Sequence, residues 1–461
     1  MSKKAKLTLG IFLLSIVYML FFMHPTMWRD ESFTMALISH NFGDIIRLDA
    51  MDVHPPFYYL ALKSFLNVTT FWTDSLFTQV VFARVFSYLV AILTFITLSR
   101  TVKNLGVPRS HAIQWIGFFL APSIMRYSTQ IRMYALAALL LALLFNQLQH
   151  YDHSHKSGHI VLAVLFASLA SYTHYFAAVA AGWMLFLYFI KFQLKRHDTH
   201  ALLSSIMVFL IMFIPWGVVA YSQVQQVKST YWIPDVTWGT VSGNFTNLFA
   251  DVFTENRGSI YAIAFLVLCI YPVIWAYFNM SKQFKIGLTM VISIFILTTL
   301  TGIIVSILVK PIYIARYGYP VYAMLIFFVM TIVAQMISRY KARLSNQYSS
   351  YLLLTAFTIL IGINVGFLAT NQFTRYVLPV GNLSQSVQGY QENPNQAIHV
   401  NPKQSVNTIV EKIVYIKSIN KEVIIKNFDI GHLVGNNNQA LFHGVFDNVN
   451  VDMYKKQAKG S

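Results

Sequence analysis

The chain has 461 residues, of which 56% are hydrophobic, 15% aromatic and only 11% charged, whereas a soluble globular chain has roughly a quarter charged residues. That composition excludes a soluble enzyme and points to a multi-span, all-α membrane protein, since only helices or closed barrels satisfy their backbone inside lipid. Cys269 is the only cysteine, so there is neither an intramolecular disulfide nor a thiolate cluster for zinc.

Taken in chain order, apolar stretches predict eleven membrane helices at about 7–23, 78–99, 111–125, 133–149, 159–173, 175–191, 201–221, 260–278, 286–309, 318–337 and 350–370. The first follows Lys3, Lys4 and Lys6, and no small-residue cleavage site ends it, so it reads as a retained helix rather than a signal peptide. With the N-terminus cytoplasmic, inner loops collect fifteen basic residues from Lys3 to Arg343, while the short outer loops hold Arg126, Arg132, Lys310 and Arg316. This bias toward the cytoplasm accounts for the net charge of +17 without a nucleic-acid partner. The chain is thus expected to be a multi-pass cell-membrane protein in contact with membrane lipids.

Two outer loops are long. The first, 24–77, carries Asp30, Glu31, Asp44, Asp49, Asp52 and Asp74, six of the eleven acidic residues before position 371, and is expected to contain amphipathic helices. The second, 222–259, has Val241, Phe245, Leu248, Phe249, Val252 and Phe253 at spacings of three and four, which predicts an interfacial amphipathic helix with Trp232 and Trp238 at headgroup depth. Beyond 370 the chain turns polar, with β-type runs at 413–416 and 423–425. Residues 1–370 therefore read as a membrane domain and 371–461 as a small external α+β segment.

The chemistry concentrates in Trp28-Arg29-Asp30-Glu31-Ser32, just after the first helix, and Asp52-Val53-His54-Pro55-Pro56 downstream. Together they resemble the dolichyl-phosphate-mannose protein mannosyltransferase-like members of the GT-C glycosyltransferase superfamily, over most of the region from the first helix to the tenth. The resemblance implies an inverting glycosyltransferase that takes a sugar from a polyprenyl phosphate on the outer face and passes it to an envelope glycan, lipid or protein acceptor. It makes Asp30 the catalytic base that removes the acceptor proton, with Glu31 orienting the acceptor or tuning Asp30. The plainer reading of Asp30 is a cap on a juxtamembrane helix from Ser32 to Ile38. Asp52 and His54 are candidates for holding the acceptor or a divalent cation, the one cofactor the sequence brings into question; equally, Pro55 and Pro56 make a rigid entry into the next helix.

Three further groups sit at outer ends. Arg132 and Tyr134, in Arg132-Met133-Tyr134, match the family pattern, although Gln130 stands where relatives often carry Glu; Arg132 has the geometry to clamp a phosphate. Arg316 and Lys310, in the turn Lys310-Pro311-Ile312-Tyr313-Ile314-Ala315-Arg316-Tyr317, are basic residues on the disfavoured side of the membrane, as a counter-charge to a leaving phosphate requires. Snorkelling or interfacial anchoring explains the same arginines structurally. His174, in Tyr172-Thr173-His174-Tyr175, is either a ligand to sugar or phosphate or a satisfied interface histidine. Arg84, a costly charge within the second helix, is expected to pair with an acid of the first loop, and His153, His155 and His159 read as an inner, solvated surface.

Two other functions suit a chain of this build: a polysaccharide polymerase and a lipid-linked saccharide flippase or transporter. A transporter concentrates ionisable residues or broken helices near the midplane, whereas here the charged residues of the candidate site cluster at outer ends, and Arg84 alone is expected within a span. The acidic pair with His-Pro-Pro separates the chain from a polymerase.

Overall fold

A computed structural model describes residues 29–50, 53–73, 76–108, 111–119, 121–195, 199–227, 233, 235–243 and 258–343, together with four short strands near the C-terminus. The expected helices 7–23 and 350–370 lie outside the described residues, as do Trp232, most of the amphipathic stretch 241–253, and the β-type run 413–416.

In the segment 24–77, expected to face outward, the described residues form three helices, α1 (Arg29–Ile38), α2 (Phe42–Asp49) and α3 (Phe57–Thr69). Asn41 starts α2, its side chain accepting the Asp44 N–H at 2.9 Å. Next come α4 (Leu76–Asn104), α5 (His111–Phe119), α6 (Pro122–Tyr127), α7 (Tyr134–Ser154), α8 (Ser157–Ser171), α9 (Tyr175–Leu194), α10 (His200–Val227), α11 (Gly258–Asn279) and α12 (Lys282–Leu308). A 3-10 turn, Ala315–Gly318, leads into α13 (Tyr319–Arg343).

The single helix expected over 111–125 is instead two, α5 and α6, because Pro122 has no N–H to continue a ladder and opens a new helix at its first position. Asp30 likewise lies inside the first turn of α1 rather than capping a helix from Ser32. Among the described residues, five helices are long and apolar enough to cross a membrane: Thr78–Asn104, Tyr175–Leu194, His200–Gln223, Lys282–Leu308 and Ala315–Arg339. The chain is a multi-pass membrane protein on this evidence and on its composition.

Helix α7 packs along α4 and α8, and α13 runs beside α5, α7 and α12. Burial separates centre from rim: 89% of the apolar window of Ala315–Arg339 is buried against 22% of that of His200–Gln223, so α13 is a bundle core helix and α10 faces lipid. In lipid, apolar contact alone does not select partners, and buried side-chain hydrogen bonds add registry. Gln114 donates to Thr331 at 2.9 Å and Asn146 to Thr101 at 2.8 Å, and the half-buried Trp183 donates to Thr301 at 3.0 Å.

At the end of the bundle opposite α1, Asp152 accepts from Lys191 at 2.8 Å and Lys195 at 3.2 Å. The neighbouring histidines are less solvated than expected: His159 stacks on His150 with ring centroids 5.1 Å apart and bonds Gln147, although His153 and His155 are exposed. Near the C-terminus, Ile398–His399 pairs in parallel with Ile425–Lys426, and His443–Phe446 pairs antiparallel with Val449–Asp452.

Candidate functional site

The acidic pair of α1 divides its labour. Glu31 is fully buried and receives both terminal nitrogens of Arg84, at 2.8 and 2.9 Å, along with the Ile131 N–H at 2.9 Å. Arg84 also donates to the Thr129 carbonyl at 2.9 Å. Such a bidentate, charge-assisted pair fixes orientation as well as distance, and it ties α1 to α4 and to the turn between α6 and α7. Ser87 strengthens the same junction by donating to the Gln130 carbonyl at 2.6 Å. The carboxylate expected to orient an acceptor or tune Asp30 is held here by Arg84 and the Ile131 N–H, and the costly arginine finds its partner in the first loop.

Asp30, one residue earlier, faces elsewhere. Its carboxylate lies 2.9 Å from Arg316, with the two side chains 18% and 16% exposed. This pair joins the first loop to the turn before α13, residues 286 positions apart in a chain with no alignment of charges to forecast it. Arg132 holds the backbone beneath: its Nη1 donates to the Asp30 carbonyl at 3.1 Å and the Thr34 hydroxyl at 3.3 Å, and its Nη2 lies 3.2 Å from His54 Nε2. A guanidinium only donates, so Nε2 of His54 accepts and His54 is not doubly protonated there.

His174 caps α9, its Nδ1 accepting the Phe176 N–H at 3.2 Å. Its ring lies 5.0 Å from Tyr317, 5.7 Å from Tyr134 and 6.5 Å from His54. Burial first, then His54, Arg132 and Arg316, push its pKa well below 6.5, which makes it a neutral member of a cationic cluster. Tyr134, also buried, stands within electrostatic reach of Arg316, Arg132 and Asp30, and its hydroxyl finds no hydrogen-bond partner among the described residues. A buried hydroxyl in that state is costly unless a ligand completes it.

Asp30, Arg132, Arg316, His54, His174 and Tyr134 thus meet at one end of the bundle. Lys310 stands at the end of α12, partly exposed, with its N–H on the Val305 carbonyl at 3.3 Å; the residue tied to Asp30 is Arg316. Asp52 lies outside the described residues, and among those described no three His, Cys, Asp or Glu side chains gather into a metal-binding group. His54 Nε2, the other candidate for a cation or the acceptor, faces Arg132 at 3.2 Å.

Three supports were not singled out from the sequence. Ser306 accepts the N–H groups of Ile312 and Tyr313, each at 3.0 Å, and shapes the turn that delivers Arg316; its signal is a hydroxyl in the last turn of an apolar helix. Gly302 lets Phe176 and Tyr313 pack against α12, since a Cβ there would meet Phe176 Cε1 at 2.5 Å and Tyr313 Cδ2 at 2.8 Å. Thr34 is one helical turn after Asp30, on the same face.

No family model and no curated protein matches the sequence. Among solved structures, the fold is similar to ArnT from Cupriavidus metallidurans in the apo state, with a TM-score of 0.55 and 11% identity over 89% of this chain and 85% of that one. It is similar as well to the same protein bound to undecaprenyl phosphate, with a TM-score of 0.53 and 12% identity over 91% of this chain and 89% of that one. This membrane chain has the ArnT fold, in keeping with the resemblance carried by its acidic pair and His-Pro-Pro.

Proposed function

We propose that the protein is an inverting glycosyltransferase that moves a sugar from a polyprenyl-phosphate donor to a hydroxyl of an envelope glycan, lipid or protein at the outer membrane face. One observation carries this reading: a carboxylate and a guanidinium, Asp30 and Arg316, lie 2.9 Å apart beside Arg132 and the unpartnered hydroxyl of Tyr134. That set contains a base for the acceptor and cationic and hydrogen-bonding groups for a leaving phosphate. An ArnT structure bound to undecaprenyl phosphate supports the donor class.

In this reading Asp30 takes the acceptor proton as the hydroxyl oxygen bonds to the anomeric carbon, and the bond from that carbon to the phosphate oxygen breaks with its electron pair leaving on the phosphate. Attack opposite the phosphate inverts the anomeric centre. Arg316, with Lys310 at the rim, neutralises the charge that builds on the leaving group, and Tyr134 donates to a phosphate oxygen. Arg132 orders α1 and His54 beneath the reacting groups, and Glu31 with Arg84 anchors the helix that presents Asp30. Four clustered cations and donors supply the charge balance that a divalent ion supplies elsewhere, so transfer is expected to persist in EDTA. The N-terminus is cytoplasmic and residues 371–461 form an external segment apart from the catalytic membrane domain.

The test uses purified protein with radiolabelled polyprenyl-phosphate hexoses and membrane fractions as acceptor source. Wild-type protein transfers label, whereas Asp30→Asn and Arg316→Ala lower the rate at least about a hundredfold, the order lost with one charge-stabilising or acid–base group. Full transfer by Asp30→Asn removes the base from this scheme.

A further inference from the structure

In the resting site the base and the phosphate ligand neutralise one another. Asp30 lies against Arg316 at 2.9 Å, and Arg132, the second arginine of the cluster, spends one terminal nitrogen on the Asp30 carbonyl and Thr34 and the other on His54. A carboxylate held by a guanidinium is turned away from an acceptor hydroxyl, and a guanidinium held by a carboxylate is a weakened anion receptor, because each ion pair formed with a ligand must first replace the internal one. Both side chains are only partly exposed, at 18% and 16%, so water screens the exchange less than at an open surface.

We propose, building on the glycosyltransferase reading, that Asp30 has a second role as an internal competitor for the donor phosphate: it occupies Arg316 until a polyprenyl phosphate displaces it. Donor binding then uncovers the base, so a competent carboxylate exists only when a donor is in place. Two consequences follow. The donor binds before the acceptor in productive turnover, and the donor's affinity is set below what Arg316, Tyr134 and their neighbours provide on their own. The residue that the chemistry needs therefore weakens substrate binding, and its neutralisation strengthens it. A merely structural ion pair predicts the opposite, since loosening the turn that carries Arg316 weakens binding.

The experiment measures binding of undecaprenyl phosphate to the full chain in lipid nanodiscs, beside undecaprenol, the same lipid without phosphate. Asp30→Asn is expected to tighten undecaprenyl phosphate by about fivefold, the scale of a partly exposed ion pair, and to leave undecaprenol unchanged. Arg316→Gln weakens the phosphate at least about tenfold, and in that background Asp30→Asn has no further effect. Unchanged or weaker binding by Asp30→Asn overturns the proposal, as does tightening that extends to undecaprenol or survives Arg316→Gln. Asp30→Ser, which also removes the charge, serves as the second variant if Asn at this position lowers the yield of folded protein. The outcomes separate from those of the transfer assay: an Asp30→Asn variant that binds the phosphate lipid tightly but transfers sugar at the wild-type rate leaves the competition intact and sinks the base assignment.

Discussion

Replacing Arg84 by methionine removes the cation from a pair that is almost wholly out of water: Glu31 is 0% and Arg84 3% exposed. In the variant Glu31 keeps the Ile131 N–H and loses both bonds to Arg84, at 2.8 and 2.9 Å. Breaking a buried pair from one side costs about 3–5 kcal/mol, because an uncompensated charge is left behind. Pairing Arg84→Met with Glu31→Gln removes that charge and is expected to recover much of the loss, a coupling of about 2 kcal/mol or more. The assay is the apparent melting temperature of the detergent-solubilised protein, read at one scan rate because membrane proteins of this size unfold irreversibly. Transfer activity is measured on the fraction that remains folded. Arg84→Met should melt several degrees early and the double variant later than it. A Glu31→Gln variant that melts with the wild type yet transfers no sugar would refute the anchor and return Glu31 to the chemistry.

Two other predictions concern the neutral histidine and the glycine behind the site. The pKa of His174 is held well below 6.5 by burial and by His54, Arg132 and Arg316, so below pH 6.5 the unfolded chain takes up a proton that the folded chain refuses. Stability is therefore full above pH 6.5 and falls below it, by at most about 1.4 kcal/mol per pH unit until the folded pKa is reached. His174→Asn keeps an acceptor for the Phe176 N–H and removes the titration, and its melting temperature should fall less between pH 7 and pH 5 than that of the wild type. Gly302→Ala places a methyl group 2.5 Å from Phe176 Cε1, a ring that abuts Tyr317 at 5.2 Å. Overpacking of this kind costs about 1–3 kcal/mol, and kinetics with varied donor and acceptor should show the donor KM rising more than the acceptor KM.

The segments that cross the membrane are legible one at a time, because a span must be apolar along its own length and the hydrocarbon core sets how long. The ranges 175–191, 201–221, 286–309 and 318–337 each meet a described helix within a few residues at most ends. Where a local rule competes with hydropathy, the reading fails: the window 111–125 is mostly apolar, but Pro122 divides it. Arg132 and Arg316 were readable as basic residues at ends expected to face outward, against the charge rule, and so called for a counter-ion.

What each charge pairs with is a different matter. Asp30 and Glu31 are adjacent acids, and nothing local distinguishes them; only the successive turn of α1 sends one toward Arg84 and the other toward Arg316. Arg84 was readable as a charge in need of an acid, but not which of the first-loop acids it takes. Ser306 and Gly302 look like ordinary residues of an apolar helix until the turn after α12 folds back on them. Hydropathy acts along the chain and is written in composition, whereas ion pairs and close packing act across it. The choice of partner therefore waits on the tertiary fold, where helices distant in sequence bring their ends together.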